Sequence, residues 1–87
     1  MILRDANILL YAYDSASPHH SAASRWLDEV LSSEQVYFSW HTLTAFLRIS
    51  TNPRIWLHPL KNQQAIEVVA SWLELENTHI VGLEKKN

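Results

Sequence analysis

The sequence predicts an α/β domain, a parallel sheet with helices packed on it. Two observations carry this. Three short runs, beginning at Ile2, Gln35 and Thr78, have the length and the β-branched or aromatic content of strands. Between them lie segments whose apolar residues recur at helical spacing. Helical connections between successive strands imply parallel pairing with helices on the faces of the sheet. The predicted order is strand–helix–helix–strand–helix–helix–strand.

The opening stretch MILRDANILLYAYD reads as a short strand followed at once by a helix. Ile2 and Leu3 begin an apolar run, Arg4 and Asp5 interrupt it, and Ala6 to Tyr13 is apolar apart from Asn7. The polar break falls at the carboxyl end of the strand, where open parallel sheets bind ligands. Asp5 is therefore a carboxylate aimed at a candidate site. It is equally a helix N-cap, accepting an N–H from Asn7 or Ile8, and the two roles are compatible. Asp14 with Ser15 reads as turn chemistry.

Ser17-Pro18 suggests an N-cap followed by proline at the first helical position. The helix it opens carries an apolar stripe of Ala22, Ala23, Trp26, Leu27, Val30 and Leu31. His19 and His20 fall in its first turn, diverging by about 100°, which suits a solvated helix start better than a shared metal. Gln35 to Ser39 is the second strand, and Ser39 caps a third helix through Leu43, Phe46 and Leu47. That helix ends near Thr51, because Asn52 precedes Pro53 and is pushed out of helical geometry. Arg48 and Arg54 near its end are accounted for by favourable charge at a helix C-terminus. Leu57 to Leu60 is a loop, and a fourth helix from Asn62 to about Glu74 buries Ala65, Ile66, Val69, Trp72 and Leu73. Thr78 to Val81 is the third strand, Gly82 follows it, and residues 84–87 form a polar end. His58 and His79 are isolated and receive no role.

Composition narrows the function. At 87 residues the chain is one small domain or part of one, and 47% hydrophobic residues with four Trp suffice for a core. The absence of Cys excludes disulfides and thiolate metal sites. No run approaches the roughly 20 apolar residues of a membrane span, and no secretory signal opens the chain, so a soluble cytoplasmic protein is expected. A net charge of −2 argues against a protein held to nucleic acid by bulk positive charge. The single glycine rules out a glycine-rich phosphate loop.

Together, MILRDANILLYAYD, the SPHH after it and the run SWHTLTAFLRISTNPRIW resemble the PIN-domain family of VapC-type toxins. The resemblance extends over essentially the whole chain. It implies a PIN-like three-layer α/β/α fold with a parallel sheet, of which the first three strands and about four helices are here. It implies a metal-dependent endoribonuclease of a bacterial toxin–antitoxin pair, using Mg²⁺ or Mn²⁺, with RNA as substrate, a cognate antitoxin and a homodimer as partners. Asp5 matches the family's first metal-binding aspartate, Asn7 would stand behind it, and Arg48 is a candidate phosphate contact. The chemistry suits oxygen ligands, since Mg²⁺ prefers carboxylates and retained waters.

Two departures qualify the activity. Many PIN domains carry an acidic residue where this chain has Ala45, and the family's remaining catalytic aspartates would follow the third strand, beyond Asn87. Residues 1–87 are thus expected to be the N-terminal portion of a single PIN domain, weak or inactive alone. The family's sheet places a fourth strand beside the first, so the strand bearing Asp5 should be an edge here. The rival expectation is a catalytically incomplete binding module that pairs with an antitoxin or a second toxin chain.

Overall fold

The computed structural model describes residues 1–55 and 59–81, arranged as β1 (Ile2–Leu3), α1 (Ala6–Ala12), α2 (His20–Ser33), β2 (Val36–Ser39), α3 (Trp40–Ser50), α4 (Asn62–Leu73) and β3 (Thr78–Val81). This is the predicted order of elements. The strands form one parallel sheet in the order β1-β2-β3, so among the described residues β1 is an edge strand, as expected. Leu3 pairs with Phe38, and Val36 to Ser39 pair in step with Thr78 to Val81. The ladder continues one residue outward, where the Tyr37 N–H donates to the Met1 carbonyl at 2.8 Å.

Alternation along the strands separates two faces. Leu3, Val36 and Phe38 are buried under the helices, whereas Ile2, Tyr37 and His79 share the opposite face, with Ile2 49% exposed. On that face the Tyr37 ring stacks on His79 at 4.8 Å, and His79 Nε2 donates to Gln35 Oε1 at 2.8 Å. The helical layer of the three-layer expectation is therefore present on one side of the sheet among the described residues.

The core is aromatic where α1, α3, α4 and β2 converge. Trp72 stacks on Phe38 at 5.5 Å and lies 5.0 Å from Phe46, and its Nε1–H donates to the Tyr13 hydroxyl at 3.3 Å. An indole needs such a partner when buried, and Tyr13 provides it from the end of α1. Asn77 joins the layers from the other side, its Nδ2 donating to the carbonyls of Leu31 and Glu34.

Local differences from the sequence reading have physical causes. The helix expected at Ser17-Pro18 begins instead at His20, because Ser17 spends its hydroxyl on the His19 N–H in a preceding turn. His20 is half-buried rather than solvated, and its Nδ1–H donates to the Tyr11 carbonyl at 3.0 Å, tying α2 to α1. The apolar stripes are narrower than expected. Ala23, Leu27 and Val30 are buried in α2 while Ala22 is exposed, and Ala65, Val69 and Trp72 are buried in α4 while Ile66 is 54% exposed. A residue adjacent to the stripe is turned by about 100°, which carries Ala22 and Ile66 past the contact with the sheet. Gly82, residues 84–87, His58 and the start of the Leu57–Leu60 loop lie outside the described residues.

Candidate functional site at the carboxyl edge of the sheet

Asp5 is the last extended residue before α1, with φ −105° and ψ 113°. Its Oδ1 accepts the Asn7 N–H at 2.9 Å, so it is the N-cap of a seven-residue helix. A cap requires this backbone geometry, and the strand-to-helix change supplies it. The side chain is exposed, and an ionised carboxylate offers about four acceptor sites, so one N–H leaves capacity for a cation. The capping reading and the site reading are thus compatible at one residue.

The neighbouring junction is built the same way. Ser39 closes β2 in extended geometry, and its hydroxyl accepts the His41 N–H at 3.2 Å to cap α3. Leu3 pairs with Phe38, so Asp5 and Trp40 each follow the paired residues by two positions on adjacent strands, which run about 4.8 Å apart. The carboxyl edge therefore presents Arg4, Asp5, Asn7, Trp40 and His41, all exposed. Trp40 was not singled out by sequence reasoning. The signal was available in its place immediately after the strand's last residue.

The other sequence candidates separate into two groups. Asn7 lies with Asp5, joined through its own backbone N–H. Arg48 does not: it is exposed in the last turn of α3, which runs back from the carboxyl edge and carries it about 12 Å along the axis beyond Trp40. Ala45, where an acidic side chain would be expected, is half-buried in the same helix.

For a divalent cation the described residues provide one corner of a site. No three of their His, Asp or Glu side chains group as metal ligands. A single carboxylate does not complete the oxygen set that Mg²⁺ or Mn²⁺ takes.

Between α1 and α2 lies an apolar groove of about 430 Å³ lined by Ile8, Tyr11, His19, Ala22, Ala23 and Trp26. The Tyr11 and His19 rings in its lining pack against each other, tilted, with centroids 5.0 Å apart. No helix of the described residues is long and apolar enough to cross a membrane.

Comparison with known proteins gives relatives over nearly the whole chain. It is 42% identical over 83 residues to Ribonuclease VapC37 of Mycobacterium tuberculosis (strain ATCC 25618 / H37Rv), covering 94% of this chain and 58% of that protein. Ribonuclease VapC33 of the same strain is 33% identical over 82 residues, covering 93% and 57%. Ribonuclease VapC24, also of that strain, is 31% identical over 88 residues, covering 94% and 61%. The chain thus spans about three-fifths of the length of these curated relatives. No protein-family model matches it.

Proposed function

We propose that this chain, a member of the VapC-type PIN family by its sequence, is the N-terminal portion of the catalytic domain of a metal-dependent endoribonuclease toxin. The observation that carries the reading is the position of Asp5. It is an exposed carboxylate at the carboxyl edge of a parallel sheet, in a chain 42% identical to a protein named a ribonuclease. In this reading RNA is the substrate, an antitoxin is the partner, and Mg²⁺ or Mn²⁺ is the cofactor. When bound, such an ion lowers the pKa of a water and offsets charge on a phosphodiester. The part of this chain is to hold one ligand in place. Asp5 is fixed by the Asn7 N–H, and both stand on a strand end buried at Leu3 and a helix buried at Leu9 and Leu10. Arg48, well along α3, would reach a backbone phosphate away from the scissile one. The remaining carboxylates come from outside the described residues, so the 87-residue chain alone is weakly active or inactive.

The test uses Mn²⁺ as a paramagnetic probe. Added to the isotope-labelled chain, it is expected to broaden the amide resonances of Asp5, Ala6 and Asn7 first, and Asp5→Asn is expected to remove the effect. RNA cleavage assayed alongside, with EDTA as control, should be feeble and lost in Asp5→Asn. Broadening centred elsewhere, or cleavage that survives both EDTA and Asp5→Asn, would remove Asp5 from the mechanism.

The second reading, a binding module without catalysis, is favoured by the groove between α1 and α2. An apolar trough between two helices suits the apolar face of an amphipathic helix. An antitoxin segment of that kind is the occupant it predicts. A stable complex formed by a chain that neither binds Mn²⁺ at Asp5 nor cuts RNA would select it.

A further inference from the structure

We propose that Trp40 is a stacking platform for an unpaired nucleobase of the RNA whose backbone lies at Asp5, an inference that rests on the ribonuclease reading. Trp40 opens α3 at the carboxyl edge of β2, one strand over from Asp5, and is 44% exposed. Trp72, by contrast, is fully enclosed in the core, and Trp26 is half-buried beside the α1–α2 groove. The large exposed aromatic at this edge is therefore not there to complete the core. Tyr13 is also exposed, but its ring and hydroxyl are engaged with Phe46 and Trp72.

The charge of the chain favours such a contact. With a net charge of −2, the chain cannot hold a polyanion by bulk electrostatics, which is the main source of affinity in basic nucleic-acid-binding proteins. Stacking on an aromatic ring adds affinity that does not depend on charge, and it is available to any base because every base has a π-face. Cutting a phosphodiester also requires the nucleotide beside it to be held in register with the reacting groups. Trp40, at the start of α3 and two residues past the strand pair Leu3–Phe38 as Asp5 is, stands at the junction adjacent to the carboxylate and is suited to that. Trp40 is thus a positioning residue, and the specificity it confers is for unpaired over paired strands.

The experiment measures binding of a fluorescein-labelled single-stranded oligoribonucleotide to the 87-residue chain by anisotropy, in EDTA so that no strand is cut. Trp40→Ala is expected to weaken binding about tenfold, which is about 1.4 kcal/mol. Trp40→Phe should retain most of the affinity. On an oligonucleotide with abasic positions the wild-type chain and Trp40→Ala should bind alike. Circular dichroism verifies that each variant is folded. Unchanged affinity in folded Trp40→Ala overturns the platform. So does an equal loss on normal and abasic strands, or wild-type binding too weak to detect. If Trp40→Ala abolishes self-association at unaltered RNA affinity, the residue belongs to a protein interface and the proposal falls. The Mn²⁺ measurement at Asp5 stands apart from all of these, so the ribonuclease reading can survive the loss of the platform.

Discussion

Asp5 holds two roles that substitution can separate. Asn retains the side-chain oxygen that caps α1, whereas Ala removes it, and loss of a cap costs about 1 kcal/mol. Asp5→Asn is therefore expected to leave the urea midpoint nearly unchanged, while Asp5→Ala lowers it. Both should lose the Mn²⁺ effect. Thr42 offers the opposite prediction. It is 2% exposed, and its Oγ1 finds no hydrogen-bond partner among the described residues. Thr42→Val replaces an unpaired buried hydroxyl with a methyl group, and should stabilise the chain by about 1 kcal/mol in the same urea titration. These two residues differ in how legible they were. The cap at Asp5 is a local matter of one side chain and an N–H two residues on, so sequence shows it. An unpaired hydroxyl depends on what packs around it from other elements, and nothing in the local sequence of Thr42 announces it.

At the scale of elements, the aromatic junction holds the helices to the sheet. Phe46 contacts Trp72 and Tyr13, linking α3 to α4 and to the end of α1. Phe46→Ala should cost about 3–5 kcal/mol through the cavity it leaves. Natural domains are stable by only about 5–15 kcal/mol, so the loss should show as a collapse of thermal unfolding cooperativity or of soluble yield. The element sequence was readable because each strand and helix has its own period. The limits of each buried face were not. Ile66 and Ala22 are apolar and adjacent to the true stripes, and only the docking angle of each helix leaves them in solvent. The start of α2 was misplaced for a related reason: Ser17 has the chemistry of a cap but makes its bond within a turn. The placement of Asp5 and Trp40 at adjacent junctions depended on strand register, which alternation alone does not fix.

For the molecule as a whole, the exposed feature is the edge formed by β1 and the sheet face carrying Ile2, Tyr37 and His79. An edge strand with an apolar exposed residue invites pairing with another chain. The 87-residue chain is expected to self-associate as its concentration rises, and Ile2→Lys should shift sedimentation toward the monomer without altering far-UV circular dichroism. Identical sedimentation of the two would show that this face is not what brings chains together. The edge was foreseeable from the family resemblance. The resemblance also names its partner, the family's fourth strand, and among the described residues no strand lies there.

The order of strands along the sheet is the order of strands along the chain. Among the described residues each strand is laid against the one made just before it, after a helical detour. This order lets the three strands acquire structure progressively as they leave the ribosome. It also makes β2 the one strand of the described sheet with neighbours on both sides. The amides of Val36 to Ser39 should then be the last to exchange with deuterium, and those of β1, beside the candidate carboxylate, among the first.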